Sequence, residues 1–142
     1  MQDRWLLPES HEWTEDRVTR RDTSQQRAIK GAIVGAGRPL SIQEINEIAL
    51  EESPGLGIRT VYRVVRRLLE DHEITSVATP GQSDRYEPAD VAASHHHHFH
   101  CHGCDRMFDV HGCPGHLQRM VPEGFKLVGH EITLNGLCDR CA

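Results

Sequence analysis

The sequence predicts an α+β protein in which an N-terminal winged helix-turn-helix precedes a small α/β unit. Three observations predict this class: three successive helical patterns, a two-strand hairpin pattern after them, and five cysteines that all fall in the last 42 of 142 residues. We place a tail or short first helix at residues 1–22, the winged helix at 23–88, a hinge at 89–94 and the cysteine-rich unit at 95–142.

Start signals locate the first two helices. The first pattern covers residues 23–36, with a threonine and a serine at its start as candidate caps. In the second helix, Ser41 and Glu44 form a capping box, and Leu40 and Ile45 occupy the two positions of a hydrophobic staple. Both helices therefore have defined starting points in the sequence.

The third helix, predicted over residues 58–70, separates an apolar stripe from a basic ridge. The stripe follows the spacing i, i+3, i+4, i+7 and i+8 and consists of Val61, Val64, Val65, Leu68 and Leu69. The opposite side carries the candidate DNA contacts Arg59, Thr60, Tyr62, Arg63 and Arg66. Arginine forks fit phosphate or guanine, and a helix that presents them suits the major groove. A solvated face is the alternative; we favour DNA because the charges are positive and lack partners at i±4.

The rest of the chain reads as short strands and turns. Residues 74–77 and 84–87 predict a hairpin, which completes the winged helix. Beyond the hinge, strands are predicted at 99–110, 125–128 and 131–135, with a short helix near 115–121. This second unit has about fifty residues, and such a small unit needs a metal or a partner chain for stability.

Charge and hydropathy limit the classes of protein. The net charge is −5, yet residues 17–67 hold ten Lys or Arg against five Asp or Glu, as expected for a DNA-binding module within an acidic chain. The sequence shows no signal-peptide core and no apolar run near the 18 or so residues that span a bilayer. We therefore expect a cytoplasmic protein without a membrane segment.

The cysteines predict a metal site. Cys101 and Cys104 form one C-x-x-C pair, and Cys138 and Cys141 form another, so four thiolates are available for one tetrahedral zinc ion. The odd number of cysteines argues against a secreted disulfide framework. The remaining alternatives are a redox pair, for which a βαβ context is missing, and buried inert cysteines.

A run of histidines precedes the first C-x-x-C pair. Because alternate side chains of an extended chain point to opposite faces, His96 and His98 share one face and His95 and His97 the other. Two separate metal sites, back to back, follow from this alternation. The alternative is a solvated polar run in a linker.

From about Thr23 onward, the sequence resembles the ferric uptake regulator (Fur) family of bacterial metal-responsive repressors. Three motifs carry the resemblance: Gly-Ile-Arg-Thr-Val-Tyr-Arg at 57–63, the histidine run leading into Cys-His-Gly-Cys at 101–104, and Gly-Leu-Cys-Asp-Arg-Cys at 136–141. The resemblance implies a homodimer, with a winged helix and a metal-binding α/β dimerisation domain in each subunit. It also implies a structural zinc ion at the four paired cysteines.

The resemblance further implies two regulatory metal sites. At the first, the family's ligands match Glu87, His96 and His98, but its remaining position falls on Pro39, which cannot bind a metal. Candidates for the missing ligand are His72, His100 and Cys113. The second site falls on His95, His97, His116 and His130, with His116 where the family commonly has a carboxylate. Cys113 is otherwise a spare ligand or a plain buried cysteine; its Cys-Pro dipeptide also occurs at some regulatory haem sites.

These observations predict a metal-dependent transcriptional repressor, not an enzyme, that binds a palindromic double-stranded DNA operator. Imidazole and thiolate ligands favour zinc, and the chain ends shortly after its last C-x-x-C pair, as in the family's zinc uptake regulator (Zur) branch. Iron(II) or manganese at the regulatory sites is the alternative, as is an iron-responsive or peroxide-sensing repressor of the same family. An enzyme such as a zinc hydrolase or nucleobase deaminase is the first rival, but the sequence contains no H-x-E motif. A metal-storage or chaperone protein is the second rival, and it would show no preference for an operator.

Overall fold

The computed structural model describes residues 23–142, and the predicted tail or first helix at 1–22 lies outside them. The N-terminal half contains three helices followed by an antiparallel hairpin, which confirms the winged helix-turn-helix. Its elements are α1 (Ser24–Gly35), α2 (Ile42–Glu52), α3 (Ile58–Glu70), β1 (Ile74–Val77) and β2 (Arg85–Pro88). Within the described part of the chain, no helix is long and apolar enough to cross a membrane.

Reciprocal capping boxes start both α1 and α2. The Thr23 side chain accepts a hydrogen bond from the backbone N–H of Gln26, whose side chain accepts one from the Thr23 N–H. Ser41 and Glu44 make the same pair of bonds at α2, as the sequence predicts. Each cap satisfies two donors that a helix start otherwise leaves unpaired.

The core of the winged helix lies between α1, α2 and α3. The predicted staple residues Leu40 and Ile45 are both fully buried, and α3 buries its apolar stripe up to Leu68, with Leu69 partly buried against it. Leu40 also exchanges backbone hydrogen bonds with Tyr86 of β2, at 3.0 and 2.8 Å. The hairpin is therefore fixed to the helical core and to the start of α2.

We expect Ile45→Ala to lower the free energy of unfolding by about 2–5 kcal/mol, because it opens a cavity in this core. Ile48→Ala on the same helix is the matched control, since Ile48 is 38% exposed whereas Ile45 is fully buried. Urea unfolding followed by circular dichroism measures both variants. Equal losses for the two would contradict the burial of Ile45.

The C-terminal half is a three-stranded sheet in the order β4-β3-β5, with β3 antiparallel to β4 and parallel to β5. Its strands are β3 (His97–Cys101), β4 (Met107–Val110) and β5 (Thr133–Gly136), and a 3₁₀ turn covers Leu117–Met120. The single strand predicted at 99–110 is thus two strands, because a turn at the first C-x-x-C pair separates them. The strand predicted at 125–128 is wrong, and a short helix, α4 (Ala89–Ala92), lies within the predicted hinge.

A buried arginine connects the two halves. Arg85 of β2 is 2% exposed. Its guanidinium donates to the Asp105 carbonyl at 2.6 Å and lies 3.0 Å from the Asp105 carboxylate, which also contacts His100 Nε2 at 2.7 Å. Asp105 follows Cys104 directly, so the wing rests on the loop that carries the first cysteine pair.

Candidate metal centres and nucleic-acid interface

Three clusters of metal-binding side chains stand out among the described residues. In each cluster, the four candidate ligand atoms all lie within 4.8 Å of one another. We call them the knuckle cluster (Cys101, Cys104, Cys138, Cys141), the hinge cluster (Glu87, His96, His98, Asp109) and the outer cluster (His95, His97, Cys113, His130).

The knuckle cluster joins the end of β3 to the last residues of the chain. Cys104 Sγ and Cys138 Sγ lie 3.9 Å apart. Two thiolates on a tetrahedral zinc ion, with Zn–S bonds near 2.3 Å, lie about 3.8 Å apart. The structure thus brings together all four cysteines that the sequence assigned to structural zinc, at a separation that fits zinc.

The electrostatics of the knuckle cluster also fit a cation. Backbone N–H groups of Cys104 and Cys138 lower the pKa of Cys101 to about 6, because they stabilise its thiolate. Hydrogen bonds with Cys138 and Cys101 raise the pKa of Cys141 to about 12. Four neighbouring thiols cannot all ionise unless a cation compensates their charge, so this group suits a bound metal.

A glycine makes the close packing at the knuckle possible. A Cβ atom on Gly103 would lie 2.7 Å from Cys141 Cβ and 2.9 Å from its Sγ. Any larger residue would push the two C-x-x-C loops apart. The glycine between the first two cysteines is therefore a requirement of the four-sulfur geometry.

The hinge cluster combines the end of the wing with the C-terminal sheet. Glu87 Oε2 of β2 lies 3.2 Å from His96 Nε2 and 3.6 Å from His98 Nε2. Asp109 Oδ1 of β4 lies 3.9 and 3.8 Å from the same two nitrogens. All four side chains are at most 15% exposed. The wing and the C-terminal sheet therefore share one buried cluster.

Two buried atoms of this cluster lack hydrogen-bond partners within the described residues: His98 Nε2 and Asp109 Oδ1. Buried polar atoms are costly without a partner, and a metal ion would supply one for both. The His96 ring contacts the Ser94 carbonyl through Nδ1 at 2.8 Å, and this contact orients the ring so that Nε2 points into the cluster toward Glu87. The donor set thus fits a divalent cation.

Burial and neighbouring charges shift the pKa values of three side chains in the hinge cluster. Burial opposes ionisation of Glu87, but the neighbouring imidazoles of His98 and His96 outweigh it and hold the pKa of Glu87 below its usual range. Burial disfavours the charged form of His96, whereas the Ser94 carbonyl and Glu87 raise its pKa overall. Burial chiefly raises the pKa of Asp109. A metal would replace the proton that this group otherwise holds.

Asp109 takes the place that the sequence left open at Pro39, and none of the three predicted candidates does. His72 and His100 lie outside all three clusters, and His100 is bonded to Asp105 instead. Cys113 belongs to the outer cluster. Sequence reasoning missed Asp109 because it becomes a neighbour of His98 only through the β3–β4 pairing, where the two residues are register partners.

The outer cluster differs from the prediction in one ligand. His95, His97 and His130 lie together, as predicted, with ring centroids 4.7 to 5.0 Å apart. His116 lies outside the cluster, and Cys113 takes its place with Sγ 2.9 Å from His130 Nε2. Burial chiefly, and then the imidazoles of His95 and His130, lower the pKa of His97 and so favour its neutral, metal-binding form.

The basic ridge of α3 faces solvent. Arg59, Tyr62, Arg63 and Arg66 are exposed and Thr60 is half-buried, so all five predicted DNA contacts lie on the accessible side. The expectation that these charges lack i±4 partners is wrong for Arg66, whose Nε lies 3.1 Å from Glu70 Oε1. Both side chains are more than 60% exposed, and such a pair contributes about 0–1 kcal/mol, so it leaves the guanidinium available.

Comparison with known proteins identifies the family. Residues 18–135 match the model of the ferric uptake regulator family. The chain belongs to the ferric uptake regulator family. The ferric uptake regulation protein of Haemophilus influenzae is 31% identical over 101 residues, which cover 69% of this chain and 68% of that protein. The Bacillus subtilis protein of the same name is 27% identical over 106 residues, covering 72% and 71%.

Solved structures of Fur-family proteins share the fold. A zinc-bound manganese uptake regulator aligns with a TM-score of 0.72 at 23% identity, over 83% of this chain and 90% of the other. The Helicobacter pylori ferric uptake regulator, described as having three functional metal-binding sites, aligns with a TM-score of 0.62 at 23% identity, over 85% and 81%. Because the chain belongs to the Fur family, it is a metal-responsive transcriptional regulator. The regulators of this family are dimeric DNA-binding proteins rather than enzymes.

Proposed function

We propose that this protein is a zinc-responsive repressor in which metal at the hinge cluster sets the position of the DNA-binding winged helix. The observation that carries the proposal is the composition of that cluster. Glu87 ends the wing, whereas His96, His98 and Asp109 belong to the C-terminal sheet. A cation shared by these four residues connects the two units directly.

The chain's own residues would perform each part of this coupling. His96 and His98 present adjacent ring nitrogens from one face of the strand region, and the Ser94 carbonyl orients the first ring. Glu87 would bind the same ion from β2. That strand forms backbone hydrogen bonds, through Tyr86, with Leu40 at the start of α2. The metal would supply the positive charge that holds these ligands together. The wing and the three helices packed against it would then keep one position relative to the C-terminal sheet.

DNA contact is assigned to the basic ridge. We propose that Arg59, Thr60, Tyr62, Arg63 and Arg66 enter the major groove of double-stranded DNA. In a homodimer, two such helices would bind the half-sites of a palindromic operator. The exposed hydrophobic residues of the C-terminal half support a dimer contact there: Met120, Phe125, Val128, Leu134 and Leu137. We accordingly propose residues 23–88 as the DNA-binding domain, 89–94 as the hinge and 95–142 as the dimerisation domain.

Zinc is the metal that the three donor sets favour together. The knuckle cluster offers four thiolates, a typical structural zinc set, and the outer cluster offers one thiolate with three imidazoles, which are donors that zinc accepts. The hinge cluster, with two imidazoles and two carboxylates, also suits iron(II) or manganese. Zinc sensing thus rests on the two sulfur-containing sites more than on the hinge cluster.

Operator binding in the presence of different metals tests the proposal. Genomic DNA fragments selected by the zinc-loaded protein would be titrated with protein containing zinc, iron(II) or manganese, and with protein treated with a mild chelator. We expect zinc to tighten binding by about 5- to 150-fold, the usual range for an allosteric coupling. Equal affinity under all four conditions would refute metal control.

We expect Arg63→Ala to weaken operator binding. If the guanidinium contacts guanine, the loss is about 1–3 kcal/mol and the sequence preference at that base pair is relaxed. If it contacts phosphate, binding to all DNA sequences weakens nearly equally. Arg119→Ala is the matched control, because Arg119 is an exposed arginine of the C-terminal half. Fluorescence anisotropy over a salt series measures both. In the phosphate case the log–log salt slope falls by about 1. Equal affinities of the two variants would exclude α3 as the reading helix.

A further inference from the structure

We propose that Cys113 is a metal ligand and that its sulfur makes the outer cluster selective for zinc-like cations over manganese. This inference rests on the proposed function, because it assigns a metal preference to one of the proposed regulatory sites. At this site Cys113 supplies a thiolate where a histidine or a carboxylate is expected. Cys113 is thus a residue that determines the metal specificity of the site.

The contact between Cys113 and His130 is the first observation. Cys113 Sγ lies 2.9 Å from His130 Nε2, and both atoms lie within 4.8 Å of a nitrogen from His95 and one from His97. Sulfur and nitrogen donors on tetrahedral zinc lie between about 3 and 4 Å apart, given bonds of 2.0–2.3 Å. A modest separation of the two side chains would therefore place one ion among all four.

The state of His97 is an independent observation. His97 is 2% exposed, and within the described residues neither of its ring nitrogens has a hydrogen-bond partner. A buried imidazole with two unpaired nitrogens costs free energy unless something else satisfies it. A cation at the centre of the cluster supplies a partner for one nitrogen, so His97 points to an ion rather than to a chance meeting of side chains.

The fold brings the ligands together from three separate segments. His97 starts β3 and pairs with Val110, the last residue of β4. Gly112, with a φ of +111° that favours glycine, lies between the end of β4 and Cys113. His130 approaches from the segment before β5. The β3–β4 pairing therefore places Cys113, three residues after Val110, beside His97, whereas His116 caps the 3₁₀ turn and lies outside the cluster.

The donor set decides the metal preference. One thiolate and three imidazoles contain no carboxylate or carbonyl oxygen. Manganese(II) favours oxygen ligands and higher coordination numbers, whereas zinc and cobalt(II) accept tetrahedral sets of sulfur and nitrogen. A cysteine at this position thus raises the affinity for zinc relative to manganese, and an aspartate there would reduce the difference.

Cobalt(II) provides a test that does not depend on DNA. The full-length protein, with zinc retained in the knuckle cluster, would be titrated with cobalt(II) while the near-ultraviolet absorption is recorded. We expect a sulfur-to-cobalt charge-transfer band in the wild type and in His116→Ala. Cys113→Ser should lose the band and bind zinc at least about 10-fold more weakly, since even outer partners of a metal site contribute that much.

The variant Cys113→Asp completes the test. It should bind metal without the sulfur band and show a smaller ratio of zinc to manganese affinity than the wild type. Because Cys113 is exposed, circular dichroism should show all three variants folded. An unchanged cobalt band in Cys113→Ser, or its loss in His116→Ala, would overturn the proposal. Metal-independent operator binding with an intact band would instead refute the proposed function and leave Cys113 as a ligand.

Discussion

Cys138→Ser is expected to unfold the C-terminal half of the protein. The sheet has three short strands, and the two C-x-x-C loops hold its central strand to the end of the chain. A structural zinc ion contributes about 10–16 kcal/mol of binding free energy in zinc-finger peptides, which is larger than the stability of most small domains. Loss of one thiolate should therefore remove most of the stability of this half.

Amide hydrogen exchange would measure the effect separately in the two halves. Protection should be lost in β3, β4 and β5 of Cys138→Ser and retained in α1–α3, whose core contains no metal site among the described residues. Cys113→Ser is the matched control for folding, since it removes a cysteine outside the knuckle cluster. Native protection in Cys138→Ser, with metal content unchanged, would show that the four cysteines do not hold a structural ion.

His98→Ala is expected to abolish the tightening of operator binding by metal. His98 lies 3.6 Å from Glu87 of the wing and 3.8 Å from Asp109 of the sheet, so it contacts both sides of the proposed joint. The wild type should bind its operator about 5- to 150-fold more tightly with metal, and the variant should show no such change. Anisotropy titrations with and without zinc measure the ratio.

His102→Ala serves as the control for that experiment. His102 is an exposed histidine of the same region and belongs to none of the three clusters. Its ratio should equal that of the wild type. If His98→Ala retained the full metal response, the hinge cluster would not be the coupling site, and the outer cluster would become the candidate.

Two ion pairs that need no metal already cross between the halves. Arg85 Nη2 lies 3.0 Å from the Asp105 carboxylate, and Arg106 Nε lies 3.9 Å from Glu44 Oε1 of α2. In each pair one side chain is exposed to solvent, and such ion pairs contribute little individually. The hinge cluster adds a further contact between the halves through Glu87, which lies on the same buried face of β2 as Arg85.

Local structure and the cysteine chemistry could be predicted from the sequence. The capping boxes at Thr23 and Ser41, the amphipathic α3 and the paired C-x-x-C motifs are encoded by residues at most a few positions apart. The alternation of histidines likewise follows from the two-residue period of an extended chain. These features depend on short-range geometry, which spacing along the chain specifies directly.

The remaining ligands were decided by tertiary structure. Asp109 reaches the hinge cluster because β3 pairs with β4 in one particular register, and Cys113 rather than His116 lies in the outer cluster because of the path that the chain takes after β4. Neither event leaves a periodic signal in the sequence. Metal ligation requires atoms from distant segments to meet within a few ångströms, and strand register and loop path determine that meeting. The sequence by itself therefore predicted the fold and most members of three candidate metal clusters, whereas the packing of the chain brought the fourth side chain into two of them.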